Sequence, residues 1–103
     1  MDKRLYQIVK HYGYEPQSRQ LIEEMSELSV AINKFWRKQL NCGNRPIQDV
    51  PMNTPEELNI IEEIADVEIM LEQMKMFFFC QKEVEKCKEQ KIIRQLERMK
   101  KHE

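Results

Sequence analysis

Ile22-Glu23-Glu24-Met25-Ser26-Glu27-Leu28 decides how this chain is read, because the chain writes it twice. It returns as Ile61-Glu62-Glu63-Ile64-Ala65-Asp66-Val67, with every apolar position kept apolar and every acidic position kept acidic. Residues three apart on an α-helix share a face. Glu24 with Glu27, and Glu63 with Asp66, are thus two carboxylate pairs, each presented by its own helix. With Glu24 as zero on a helical wheel, Glu27 lies at roughly 300°, while Leu21, Met25, Leu28, Ile32 and Phe35 cover roughly 20–100°. The acids therefore border the apolar stripe. The second copy repeats the arrangement, with Ile60, Ile64, Val67, Leu71 and Met74 as its stripe. If the two stripes pack together, four carboxylates converge at the edge of the seam, and such a cluster suits a hard cation.

Outward from these segments, the rest of the chain reads as helix. Leu5, Ile8, Val9 and Tyr12 place a first helix over residues 2–12, and Gly13 ends it. A second helix is expected from about Pro16 to Leu40. A turn-rich stretch from Asn41 follows, giving a long loop to Asn53. Thr54-Pro55-Glu56-Glu57 combines an N-cap, a proline in the first helical position and a capping-box acid, and so starts a third helix that reaches about Phe79. No glycine or proline separates it from a fourth, at about Gln81 to Lys101, so that boundary near Cys80 is set by nothing local. The expectation is one all-α domain, residues 1–103, built as an antiparallel four-helix-bundle-like fold.

Composition narrows the function classes. A chain of 103 residues can bury only about 60–65% of its unfolded surface, so association into dimers or tetramers is expected. A net charge of -1 argues against a general nucleic-acid binder. Cys42, Cys80 and Cys87 are odd in number and lack metal-ligand spacing. Met76 to Cys80 is too short an apolar run to span a membrane, and the opening Met1-Asp2-Lys3-Arg4-Leu5 has no signal-peptide core. These features predict a cytoplasmic protein without a membrane or nucleic-acid partner.

Four crowded acids raise one another's pKa values and persist at neutral pH mainly when a cation neutralises them. Oxygen donors without Cys or His favour Mg²⁺, with Mn²⁺ as a substitute, over Zn²⁺. Mg²⁺ bound this way keeps waters and takes phosphate oxygens, so a nucleotide is a natural guest.

Glu23-Glu24-x-x-Glu27 followed by Glu63-x-x-Asp66, each on a long helix, resembles the signature of the all-α nucleoside triphosphate pyrophosphohydrolases, and most closely the small single-domain MazG-like proteins. The resemblance runs from the helix at Pro16 to the basic C-terminal helix. It implies an all-α, MazG-like fold working as a homodimer or homotetramer, and Mg²⁺-dependent cleavage of a (d)NTP to (d)NMP and pyrophosphate. It also implies Glu24, Glu27, Glu63 and Asp66 as metal ligands, with Glu27 or an outer-lying Glu23 assisting the attacking water. The gap between the two acidic motifs is longer here than in the MazG-like pattern, which bears on the base pocket more than on the metal site.

Other side chains admit two readings each. Lys91, Arg94 and Arg98 share one face of the last helix and could close over a triphosphate, or pair with Glu89 and Glu97 as a charged tail. Lys34, Arg37 and Lys38 suit either phosphate or the carbonyl end of their own helix. Trp36 could stack on a base or fill a core or subunit contact. Gln20 and Asn59, one turn before each acidic motif, could hydrogen-bond substrate or orient ligands. Rival functions on the same residues are dUTPase-like or phosphoribosyl-ATP specificity, and a helical oligomerisation or regulatory module without turnover.

Overall fold

The computed structural model describes residues 2–38 and 54–101. The expected loop at Asn41–Asn53 and the last residues of the expected second helix lie outside them. The described residues form four helices and no strand: α1 (Lys3–Tyr12), α2 (Tyr14–Lys38), α3 (Pro55–Phe78) and α4 (Gln81–Lys101). The described residues are all-α, as the periodicity predicts.

The helix ends follow local chemistry. The Asp2 carboxylate caps α1 by accepting the Arg4 backbone N–H at 2.8 Å. Gly13, at φ 86°, closes α1 through its N–H to the Val9 carbonyl. α2 begins two residues earlier than Pro16 suggests; the proline sits within its first turn, where a missing N–H has no intrahelical partner to lose. Thr54 accepts the Glu57 N–H at 3.2 Å and donates its hydroxyl to the Glu57 carboxylate at 2.6 Å. α3 ends without glycine: Phe79 takes the left-handed conformation (φ 52°, ψ 46°), and the Cys80 N–H reaches back to the Lys75 carbonyl. A β-carbon in that region costs on the order of 1 kcal/mol, which the two carbonyls capped there help offset.

α2 and α3 lie antiparallel along most of their length. Gln17 meets Gln73 at one end and Lys38 meets Glu56 at the other. α1 packs on both, with Val9 buried, whereas α4 touches only α3 and buries no residue. The radius of gyration, 17.0 Å, exceeds the ~13 Å of a compact domain this long. One chain thus supplies a three-helix core with a fourth helix projecting from it.

The seam itself is rotated from the stripe the sequence suggests. On α2 the inward positions are Gln17, Leu21, Glu24, Leu28, Ala31 and Phe35; on α3 they include Glu57, Ile60, Glu63, Val67, Met70, Gln73, Met74 and Phe77. The α2 run alternates spacings of three and four, and the α3 run keeps to threes and fours apart from the adjacent Gln73 and Met74, the pattern of two helices packed along a common seam. Met25, Ile32, Ile64 and Leu71, expected inside, are more than two-fifths exposed. Glu24 and Glu63 take seam positions instead of bordering the seam.

Candidate metal centre

The rotation carries Glu24 of α2 and Glu63 of α3 into facing positions, each half-buried. Asp66, one turn beyond Glu63, remains exposed. Among the described residues these three each offer a carboxylate oxygen, and the three atoms lie within 4.8 Å of one another. Gln20 donates its amide N–H to Glu24 Oε1 at 2.6 Å and so orients that carboxylate. The second oxygens, Glu24 Oε2 and Glu63 Oε2, are fully shielded from solvent and have no hydrogen-bond partner.

Glu27 lies beside this trio and outside the 4.8 Å group. The charge of Glu24 raises its pKa above the usual carboxylate range, with partial burial and then Glu63 and Glu23 adding to the rise. Glu63 is also raised, chiefly by burial and next by Asp66, Glu24 and Glu62; a hydrogen bond with Glu27 acts in the opposite direction. Both shifts state the same physics: negative charge is crowded where water cannot fully solvate it.

The donor set is all oxygen, comes from two helices and contains two buried oxygens with nothing to accept from. A divalent hard cation satisfies each of these conditions. Glu24, Glu63 and Asp66 would hold it, and Glu27 is near enough to the trio to serve a bound water.

A cavity of about 300 Å³ adjoins the carboxylates, lined by Glu23, Glu27, Glu63, Asn59 and Lys34 among others. Lys34 also lines a second cavity, of about 280 Å³, with Arg37, Lys38 and Glu56. Lys38 pairs with Glu56 at 3.4 Å. Gln20, Glu23, Asn59, Lys34, Arg37 and Lys38 are therefore gathered on or beside one side of the seam. Ser26 joins the same lining; a small hydroxyl gives no pattern by which its sequence position could have announced this.

Four candidate residues are placed elsewhere. Trp36 is 56% exposed and lines neither cavity; it lies roughly 200° around α2 from Lys34. Lys91, Arg94 and Arg98 are exposed on α4, which meets no helix but α3, and they line neither cavity. A larger cavity of about 800 Å³ runs between α1, α3 and α4, mostly apolar, and none of the clustered carboxylates lines it.

The seam also holds polar residues that periodicity passed over. Gln73 is the most enclosed large side chain, 1% exposed, and accepts from the buried Gln17 amide at 2.8 Å. No helix among the described residues is long and apolar enough to cross a membrane. Compared with family models, with curated proteins and with solved structures, the chain matches none.

Proposed function

We propose that this chain is a MazG-like, Mg²⁺-dependent nucleotide pyrophosphohydrolase that converts a (d)NTP to (d)NMP and pyrophosphate. The observation that carries the reading is the pair of buried, unpartnered carboxylate oxygens on Glu24 and Glu63, brought with Asp66 to one point from the two copies of a duplicated segment. A pair of ionised carboxylates accepts hydrogen bonds and donates none, so as long as the cluster stays ionised a cation is what answers these oxygens.

Bound there, Mg²⁺ would polarise phosphoryl oxygens and lower the pKa of a coordinated water. The chain's own residues supply the rest. Gln20 fixes the Glu24 carboxylate. Glu27, whose proton affinity is raised, accepts a proton from the attacking water. The water oxygen bonds to the α-phosphorus as the bond to the oxygen bridging the α- and β-phosphates breaks, and pyrophosphate leaves with that oxygen. Glu23, at the rim of the same cavity, is the alternative proton acceptor.

The working form is proposed to be a homodimer or homotetramer. Met25, Ile32, Ile61 and Ile64 are exposed on the side of the seam away from the carboxylate cavity, with Trp36 continuing the strip, and a second copy would cover them. Cys80 and Cys87 are free thiols, which fits a reducing cytoplasm.

The test is pyrophosphate release from a panel of canonical and damaged (d)NTPs, with and without Mg²⁺. Metal-dependent pyrophosphate release that Glu63→Gln abolishes is the expected result. Release of free phosphate in its place would overturn the reaction type, and turnover undiminished by Glu63→Gln would overturn the metal site.

A further inference from the structure

Lys34 lines both cavities beside the carboxylates, so the two adjoin at that side chain and follow one another along α2 as a groove that Lys34 divides. Charge reverses sign along this groove. Glu23, Glu27 and Glu63 line the near compartment. Arg37 and Lys38, with Glu56 as the one acid beside them among the described residues, line the far one, where Lys34 and Arg37 leave a net positive charge. Lys38 is engaged by Glu56, but among the described residues neither Lys34 nor Arg37 makes an ion pair. The two lie three residues apart, side by side on the helix. Lys34 is seven residues beyond Glu27, about 10 Å along the axis, a span that a phosphate chain and a lysine stem together cover. Their place in the last turns of α2 also suits the carbonyl end of the helix. That placement accounts for cations there, and leaves unexplained why two make no ion pair among the described residues at the mouth of an acidic cavity.

We infer that the groove sets the direction of the substrate: the pyrophosphate half lies toward Lys34 and Arg37, and the nucleoside leaves the carboxylates the other way, past Gln20. This deepens the reading above and rests on it. Of the two products, pyrophosphate carries the denser charge, and Lys34 with Arg37 is the cationic lining the groove offers without an ion pair among the described residues. The basic face of α4, which lines neither compartment, takes no part within one chain.

Calorimetric titration with pyrophosphate, and separately with a nucleoside monophosphate, each with Mg²⁺ present, tests the direction on the intact protein. Lys34→Gln/Arg37→Gln should weaken pyrophosphate binding about 10- to 100-fold, as expected for loss of charge-assisted hydrogen bonds. Monophosphate binding should change less than about twofold, and Mg²⁺ binding without phosphate should stay as in the wild type. Lys100→Gln/Lys101→Gln removes the same charge from the end of α4 and should leave pyrophosphate binding as it was. Equal loss for both products, no loss for either, or a loss from the α4 variant as large as from the groove variant would each overturn the inference. The two readings fail separately. A wild type that hydrolyses no nucleotide but loses pyrophosphate binding on the groove substitutions keeps the subsite and drops the reaction. Turnover with pyrophosphate binding indifferent to those substitutions keeps the reaction and drops the subsite.

Discussion

The seam between α2 and α3 contains two polar pairs, Gln17 with Gln73 and Glu24 with Glu63, and they meet burial in opposite ways. The glutamine amides find their partners within the protein: Gln17 Nε2 donates to Gln73 Oε1 at 2.8 Å, and Gln73 Nε2 donates to Met70 Sδ at 3.6 Å. The glutamates leave two buried oxygens with no donor. The difference is chemical, since an amide carries donor and acceptor whereas an ionised carboxylate only accepts. One pair completes itself and fixes the register of the helices. The other is complete only with a proton or a cation, so the same seam holds one structural contact and one that needs a guest.

The largest expected effect comes from making the second pair resemble the first. Glu63→Gln gives Glu24 an amide donor and removes one negative charge from the cluster. Turnover should fall by at least about 10²–10³-fold, the scale of losing one preorganised charge-stabilising group. Far-UV circular dichroism should be unchanged, and the Mg²⁺-free thermal midpoint should be unchanged or higher. Pyrophosphate release within tenfold of wild type would erase the contrast.

Metal addition sharpens the same contrast without substitution. A ligand that binds only the folded state at a hundred times its Kd stabilises it by about 2.7 kcal/mol. For a chain of this size that raises the midpoint by on the order of 10 °C. Wild type should show this shift with Mg²⁺, and Glu63→Gln should lose most of it. Equal shifts in both proteins would place the cation elsewhere.

The parts of this design that residues announce, and those they conceal, divide along physical lines. Thr54-Pro55-Glu56-Glu57 and Gly13 mark helix ends through capping and backbone freedom, and the structure uses both. The repeated acidic frame brings Glu24, Glu63 and Asp66 together because equal spacing on two antiparallel helices preserves equal faces. The rotation of the seam was hidden. α2 carries more apolar surface than one interface needs, and periodicity cannot tell which part faces α3 and which, with Met25, Ile32 and Trp36, stays outside. A buried glutamine or glutamate, moreover, counts as polar in any such sum. The departure of α4 was equally hidden, since Phe79 turns the chain in a left-handed conformation that composition assigns to glycine. Lys91, Arg94 and Arg98, which their spacing offers either as phosphate contacts or as a charged tail, lie on a helix that meets only α3 among the described helices.

A smaller effect, on stability alone, comes from breaking the pair that completes itself. Gln73→Leu strands the Gln17 amide in a buried position and should lower unfolding free energy by about 1–3 kcal/mol in urea titration. Gln17→Leu/Gln73→Leu removes donor and acceptor together and should recover most of that loss. Mg²⁺-dependent turnover should survive in the double variant, since neither side chain lines the carboxylate cavity. A double variant as destabilised as the single one would show that packing, and not the amide pair, sets this part of the seam.

The smallest effect is the pH dependence of the metal-free protein, and its sign separates the two pairs. Glu27 and Glu63 have folded-state pKa values above those of an unfolded glutamate. The folded state therefore holds more protons than the unfolded state between the ordinary value and the raised ones, and stability falls as pH rises through that window. Acidifying from pH 7 to about 5 should raise the midpoint of metal-free wild type. Asp2, held down to about 2 by its hydrogen bonds with Arg4, and Glu56, lowered by its own helix N-terminal N–H and Lys38, act the other way, but only as pH drops below the ordinary carboxylate range. They leave the upper window to the seam. Saturating Mg²⁺ should reverse the trend there, because protons then compete with the cation for the same oxygens. The glutamine pair titrates nowhere, so Gln17→Leu/Gln73→Leu should keep the wild-type slope while Glu63→Gln flattens it. A metal-free midpoint that falls steadily from pH 7 to 5 would mean that Glu24 and Glu63 are not crowded in solution, and the contrast between the two pairs would lose its physical basis.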